Sequence, residues 1–273
     1  MKNTVIGVIG LGTVGKSVKY ILGYYFETVG YDLKGDYRWD DILKSKIVFI
    51  CVPTPEGPDG RLDCSKVENV LQRLSVDGYN GIIVIKSTIG VGFMEKALSE
   101  FPDFKFVYMP EFLREKSSFS WFVAPDRLVI SGDPDDIKEV LGYFHWIDEN
   151  VPILKMTHRE AEIGKLAHNA FIAVKVSFTN EIETICREND ADTENIMRVI
   201  WADRRVKSRE HLQPNLGPYG GKCVPKDTRE LINSSESTIL IKAAEQVNEK
   251  TRQYYNSINR ETEEITNYKN RQA

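Results

Sequence analysis

The stretch TVIGVIGLGTVG at residues 4–15 decides the fold. Its first half is a β-branched run that ends in glycine, which predicts a buried parallel strand over 4–10. Its second half opens an amphipathic pattern, which predicts a helix that continues to about Phe26. A strand that leads through a glycine turn into a helix is the first unit of a doubly wound α/β sheet.

The glycine turn between this strand and helix has the spacing GxGxxG. Gly10 permits a tight turn, Gly12 lets the backbone approach a pyrophosphate, and Gly15 allows the helix to pack closely on the strand. Thr13 and Val14 complete the turn at the helix N-terminus, where backbone N–H groups face an anion. The motif predicts a dinucleotide site; a glycine turn that holds no cofactor is the alternative interpretation.

The second predicted strand, 28–32, ends on an acid that suits such a site. Asp32 lies about 20 residues after Gly10, where a carboxylate bonds the adenosine ribose 2′-OH and repels a 2′-phosphate. We therefore expect NAD as the cofactor in preference to NADP. The cation of Lys34 lies close by and weakens this preference.

Five further segments predict strands, at 46–53, 81–88, 104–110, 126–131 and 152–156. Because these segments alternate with helical patterns, they indicate βαβ units. The predicted fold class is α/β, a Rossmann-like, doubly wound and mostly parallel sheet. We assign residues 1–156 to this NAD-binding domain.

The chain changes character after about Thr157. Apolar residues then recur at helical spacing as far as Asn189, which predicts one helix of about 30 residues and about 45 Å. Helices are also predicted over about 193–201 and 237–268. We therefore predict that residues 157–273 form an all-α domain built on one long helix, which would serve catalysis and dimerisation.

The composition excludes several classes of protein. The 273 residues carry 36 Lys and Arg against 40 Asp and Glu, a net charge of −4, so the chain lacks the overall positive charge that favours nucleic acid. No apolar run is long enough to span a bilayer, and the N-terminus does not resemble a signal peptide. The four cysteines show neither disulfide-scaffold nor metal-site spacing, so we expect no metal and a reducing, cytoplasmic location.

One cysteine stands in a setting that favours reactivity. Cys223 lies in a glycine-rich loop, GGKCVPKD at 220–227, with lysines on both sides and a helix predicted to begin near Lys226. Nearby ammonium groups and a helix N-terminus both favour the thiolate. In a Rossmann enzyme, a thiolate near the nicotinamide can capture an aldehyde as a thiohemiacetal, from which loss of hydride gives a thioester.

Two further groups of polar residues are candidates for the same site. Lys165 and Asn169 are spaced i, i+4 on the long helix and share one face, although a solvent-facing pair is the ordinary interpretation. The segment MPEFLRE at 109–115 follows a strand, at the edge where α/β sheets bind ligands, and Ser87-Thr88 ends another strand on that rim. A surface ion-pair loop is the alternative for the two glutamates.

Several stretches together resemble the UDP-glucose/GDP-mannose dehydrogenase family. They run in family order over about residues 4–250: VIGLGTVG (8–15), FICVPTP (49–55), KSTIGVG (86–92), MPEFLRE (109–115), PDRLVIS (125–131), EIGKLAHNAFIAVKVSFTNE (162–181) and GPYGGKCVPKDT (217–228). The resemblance implies an NAD-dependent, four-electron oxidation of the C6 alcohol of a nucleotide sugar to a carboxylate, with UDP-glucose to UDP-glucuronate the favoured case.

The resemblance also implies roles for particular residues. Cys223 would be the nucleophile, Lys165 and Asn169 would hold the C6 oxygen, and Asp227, Glu111 and Thr88 would serve the water that hydrolyses the thioester. The cofactor-binding candidates are Gly10, Gly12, Thr13, Val14, Gly15, Asp32, Lys34, Val52, Pro53, Thr54, Ser87, Thr88, Glu115 and Lys226. The substrate-binding candidates are Phe112, Leu113, Arg114, Glu115, Lys165, Asn169, Arg205, Tyr219, Gly220 and Gly221.

The family plan continues into a third domain that covers the nucleotide, which we do not find in these 273 residues. Two hypotheses follow: an active nucleotide-sugar 6-dehydrogenase, or a truncated, weakly active or inactive NAD-binding and dimerisation module. A 3-hydroxyacid or 6-phosphogluconate type of dehydrogenase shares the plan but has no need of Cys223. The resemblance further implies a homodimer formed through the long helix, with Arg205 inserted into the partner's site. We expect neither a nucleic-acid nor a membrane partner.

Overall fold

A computed structural model describes residues 4–112, 118–236 and 238–272, with side chains as far as residue 258. The strands are β1 (Val5–Ile9), β2 (Glu27–Tyr31), β3 (Ile47–Ile50), β4 (Ile82–Ile85), β5 (Lys105–Tyr108), β6 (Leu128–Gly132) and β7 (Ile153–Lys155). The helices are α1 (Thr13–Leu22), α2 (Trp39–Leu43), α3 (Ser65–Val76), α4 (Phe93–Glu100), α5 (Ser118–Val123), α6 (Pro134–Gly142), α7 (His158–Glu188), α8 (Thr193–Trp201), α9 (Val224–Asn233) and α10 (Ile239–Gln272).

The strands form one sheet in the order β2-β1-β3-β4-β5-β6-β7. Every pairing is parallel except that of β5 with β6, which is antiparallel. Strands β3 and β4 are buried along their whole length, as expected of central strands covered on both faces. All seven predicted strands are present, and the predicted α/β fold class is confirmed.

Two apolar clusters cover the sheet, because alternate residues of each strand point to opposite faces. Val8 and Phe49 belong to one cluster, with Val18 and Leu22 of helix α1. Ile9 and Ile50 belong to the other, with residues of α2, α3 and α4. The ends of the parallel strands are thereby fixed at one rim of the sheet, where the loops of the candidate site begin.

Two compact units make up the chain, and the division falls between Leu166 and Ala167, inside helix α7. This helix has 31 residues, in agreement with the predicted length of about 30. The predicted boundary at residue 156 marks the end of the sheet, and the assignment of domains on either side of it stays a prediction. In the part of the chain that is described, no helix is both long and apolar enough to cross a membrane.

Candidate functional site

The glycine turn after β1 has the geometry that its spacing predicts. Gly10 has φ +88°, and a Cβ there would lie 2.8 Å from the backbone of Cys51 and Val52. A Cβ on Gly15 would lie 1.8 Å from the Gly10 carbonyl oxygen, whereas one on Gly12 would meet nothing within 4 Å. Gly10 and Gly15 are therefore required by packing, and Gly12 leaves open space at the helix N-terminus. That open cradle fits the pyrophosphate of a dinucleotide.

Asp32 follows β2 and braces this turn. Its Oδ2 accepts a hydrogen bond from the Leu11 backbone N–H at 2.7 Å, and its Oδ1 accepts one from the Lys34 N–H at 2.9 Å. The bonds from Lys34 and Leu11 hold the pKa of Asp32 below its ordinary value of 3.8. The carboxylate is thus ionised at neutral pH, the form that accepts a ribose hydroxyl and repels a phosphate.

The loops after β3 and β4 are tied to each other through side-chain hydroxyls. Thr54 Oγ1 donates to the Thr88 carbonyl at 2.6 Å, and Ser87 Oγ donates to the Val52 carbonyl at 2.7 Å. These bonds place four of the predicted cofactor residues at one rim of the sheet. Pro53 lies between them and is exposed.

Glu111 forms an ion pair that the sequence did not indicate. Lys86, whose side chain is 2% exposed, places Nζ 2.8 Å from Glu111 Oε2 and donates to the Met109 carbonyl at 3.2 Å. The two residues meet because β4 and β5 are neighbours, and each residue follows the end of its strand. Glu111 is therefore held by a buried cation, which goes against its interpretation as part of a surface ion-pair loop.

Lys165 is almost fully buried in the first unit, so the solvent-facing alternative does not apply to it. Its Nζ lies 5.1 Å from the centre of the Phe112 ring, within cation–π range. The neighbouring predictions at Leu113, Arg114 and Glu115 lie outside the described residues.

A second buried carboxylate, which sequence reasoning missed, fixes the helix that carries Lys165. Glu162 accepts hydrogen bonds from the backbone N–H groups of Gly92 and Met94, at 2.7 Å each, and thereby caps α4. Burial raises the pKa of Glu162 despite these bonds. Its position one turn before Lys165 was the available signal, since it shares the buried face of the helix.

The second unit brings together three of the predicted catalytic residues. Cys223 is exposed and immediately precedes α9, as its N-cap residue. Asp227, one turn further on, is completely buried; it accepts from Asn169 Nδ2 at 2.5 Å and from Lys226 Nζ at 2.6 Å. The hydrogen bond between Asn169 and Asp227 thus fixes both side chains near the start of α9, the helix that Cys223 precedes.

The remaining predicted substrate residues of this unit have different surroundings. Tyr219 is buried, and burial raises its pKa to about 12. Gly220 and Gly221 are exposed, and a Cβ on either would meet nothing within 4 Å. Arg205 is exposed and pairs with Asp203, with Nη2 2.6 Å from Oδ2. The roles of these four residues toward a substrate stay predictions.

Comparison with known proteins matches two successive parts of the chain to one family. Residues 30–145 match the family model described as UDP-glucose/GDP-mannose dehydrogenase family, NAD binding domain. Residues 159–250 match the central domain of the same family. An NAD-binding domain followed by the central domain of the same family is the class that these two models define together. The chain belongs to the UDP-glucose/GDP-mannose dehydrogenase family, and the predicted family and the NAD cofactor are confirmed.

Individual relatives agree with this membership. The chain is 35% identical to a UDP-glucose 6-dehydrogenase of Pseudomonas aeruginosa over 210 residues, which cover 72% of this chain and 46% of that protein. It is 33% identical to one of Campylobacter jejuni over 209 residues, with 74% and 52% coverage. A solved UDP-glucose dehydrogenase of Pyrobaculum islandicum matches with a TM-score of 0.81 at 28% identity and covers 90% of this chain and 68% of that one. The chain spans about half the length of the curated relatives it matches.

Proposed function

We propose that the chain supplies the NAD-binding and catalytic parts of a nucleotide-sugar 6-dehydrogenase, which oxidises the C6 alcohol of a UDP-sugar to a carboxylate. UDP-glucose is the favoured substrate, since the relatives named above carry it in their names. The observation that carries the proposal is the exposed thiol of Cys223 at the start of α9, one turn from the buried Asp227.

In this proposal some protein groups bind the C6 oxygen of the sugar, and another group forms a bond to the C6 carbon. The Lys165 ammonium and the Asn169 amide hold the C6 oxygen and stabilise the negative charge that develops on it. NAD, when bound, would accept a hydride from C6 in each of the two oxidations, and the proton of the C6 hydroxyl would pass to solvent each time. The Cys223 sulfur forms a bond to C6 of the aldehyde, and the carbonyl oxygen takes up a proton to give the thiohemiacetal.

After the second hydride has left, C6 is held as a thioester on Cys223. The oxygen of a water molecule forms a bond to this carbon, the C–S bond breaks, and both protons of the water pass to solvent as the carboxylate and the Cys223 thiolate form. Asp227 is the group we assign to orient that water, and the resemblance to the family gives Glu111 and Thr88 a role in the same step. The fixed partners of Asp227 and Glu111 support this assignment, because a preorganised carboxylate needs no rearrangement in the reaction.

We also propose that the chain acts as a homodimer through α7. Phe171, Phe178 and Ile185 follow each other at intervals of seven and are 60%, 42% and 49% exposed. Exposed apolar side chains spaced seven residues apart form a stripe on one side of a helix, as expected for helix pairing. A second copy of the same helix is the partner that offers a matching stripe.

The proposed reaction is tested by counting NADH formed from a panel of UDP- and GDP-sugars. We expect two NADH per sugar, and one NADH per sugar would contradict the thioester mechanism. Cys223→Ser should reduce turnover by about 100-fold or more and leave NAD binding intact, because a hydroxyl is a far weaker nucleophile than a thiolate.

Cys64→Ser is the matched control for this variant. Cys64 is the residue that precedes α3, so both substitutions make the same change at the same position of a helix. The control should turn over like the wild type. Equal loss in both variants, or none in Cys223→Ser, would remove Cys223 from the role of nucleophile.

A further inference from the structure

The loop that leads to Cys223 is held by side chains from two different helices. It runs through PNLGPYGGKC at 214–223, and Asn215, Gly217 and Gly221 have φ between +61° and +77°. A segment with repeated left-handed turns has no regular ladder of its own, so its backbone polar groups need partners elsewhere. Those partners locate the fixed points of the loop.

Asn248 of α10 provides the first fixed point. Its Oδ1 accepts from the Tyr219 backbone N–H at 2.7 Å, and its Nδ2 donates to the Tyr219 carbonyl at 3.1 Å. Asn248 is 3% exposed, so water does not compete for these bonds. One side-chain amide thus satisfies both polar groups of one peptide residue, as a neighbouring strand would do.

Helix α7 provides the second fixed point, earlier in the loop. Asn180 is 2% exposed, and its Nδ2 donates to the Gly217 carbonyl at 3.0 Å. The Glu183 carboxylate, one turn further along α7, accepts from the Asn215 N–H. Together with Asn248, these contacts fix residues 215–219.

The stretch from Gly220 to Lys222 differs from the fixed part. These residues are exposed, and the two glycines have no neighbours that a Cβ would touch. The next fixed point is the first turn of α9, where the Asp227 N–H donates to the Cys223 carbonyl at 3.0 Å. The place of the thiol therefore depends on Tyr219 on one side and on α9 on the other.

From this arrangement we infer that Asn248 is a positioning residue for Cys223. By fixing Tyr219, its amide sets where the glycine segment starts, and so sets the direction from which the chain reaches Cys223 at the start of α9. The inference rests on the proposed function in so far as Cys223 is the nucleophile, but the position of the thiol can be measured without any turnover.

The test compares the alkylation of Cys223 by iodoacetamide in folded wild type and folded Asn248→Ala, and mass spectrometry of the peptides after digestion gives the rate at each cysteine. Once Tyr219 is no longer held, the exposed glycine segment before Cys223 loses its fixed start, so the Cys223 thiol should react at a rate that differs from the wild type by roughly fivefold or more. Cys64 lies in the first unit and provides an internal reference rate. Asn256→Ala, an exposed asparagine on the same helix, is the matched control and should react like the wild type.

Cys186 is a built-in indicator of unfolding, because it is 4% exposed in the same unit. If Asn248→Ala also exposes Cys186 to alkylation, the same rates are compared in Asn248→Asp. This substitution keeps the size of the side chain and the acceptor for the Tyr219 N–H but loses the donor to the Tyr219 carbonyl. A Cys223 rate within about twofold of the wild type, with Cys186 protected, would overturn the inference. A changed Cys223 rate in Asn248→Ala, together with a wild type that forms no NADH from any sugar of the panel, would leave the inference standing and contradict the proposed function.

Discussion

At the scale of single residues, Glu162 shows how much one buried carboxylate can fix. It joins α7 to the N-terminus of α4, where two backbone N–H groups without helical partners point at it. The same turn of α7 carries Lys165, and the loop before α4 carries Thr88. Two of the proposed catalytic residues thus depend on one hydrogen-bonded contact within the first unit.

We expect Glu162→Gln to destabilise the first unit by about 1–3 kcal/mol. A glutamine can accept only one of the two N–H bonds, and its NH₂ group then faces the other donor. Urea unfolding followed by circular dichroism measures the change.

Glu95→Gln serves as the control for this variant. Glu95 pairs with Arg159 at the surface, and such pairs contribute about 0–1 kcal/mol. An equal loss of unfolding free energy in the two variants would show that the cap by Glu162 stabilises the first unit no more than a surface ion pair does.

A pH dependence is expected from His158, the first residue of α7. Its Nδ1 lies 2.8 Å from Ser131 Oγ, and burial holds the pKa of His158 below its ordinary value of 6.5. The folded chain therefore binds fewer protons here than the unfolded chain, so stability rises with pH through this window and is lost as the pH falls below about 6.5.

The free energy of unfolding should accordingly fall between pH 7.5 and pH 5.5, and fall less in His158→Gln. Parallel urea titrations at the two pH values measure the difference. An identical fall in both proteins would assign the pH dependence to other groups.

At the scale of elements, the sequence predicts where strands and long helices lie better than where they end. The segment predicted at 46–53 is a strand only over Ile47–Ile50. Cys51 is buried and Val52 is partly buried beyond the end of this strand, so their apolar character could not show where the strand ends. Helix α1 ends at Leu22, before the predicted Phe26, because the N–H groups of Tyr24 and Tyr25 bond back only three residues, to the carbonyls of Ile21 and Leu22. Phe26 is nevertheless buried, so its apolar character could not reveal the change of backbone.

Contacts between distant segments could not be predicted in this way. The antiparallel pairing of β5 and β6 leaves no periodic signal, since both strands are largely buried. The pair Lys86–Glu111 and the contact of Asn248 with Tyr219 arise only once strands and helices are placed side by side. The turn made by the glycine motif and the place of Cys223 at the start of a helix were predictable because both depend on the local sequence.

At the scale of the whole molecule, the stripe on α7 makes the oligomeric state a sensitive test. We expect the wild type to be a dimer in light scattering at micromolar concentration and Phe178→Glu to be a monomer. A charge in the middle of an apolar helix interface is buried without a partner, which association cannot tolerate.

Phe119→Glu is the matched control, since Phe119 lies on α5 and is 44% exposed, close to the 42% of Phe178. It should leave the mass unchanged. A monomeric wild type, or a dimeric Phe178→Glu, would refute the proposed helix pairing.

The unbroken course of α7 across the division between the units has a consequence for protein engineering. Domains are usually exchanged or expressed separately by cutting an exposed linker, but here the division between Leu166 and Ala167 lies within 31 helical residues. A cut at that point would leave Lys165 at a new, fraying C-terminus and Asn169 in a new first turn. Chimaeras between members of this family should therefore exchange α7 as an intact piece, with crossovers placed before His158 or after Glu188.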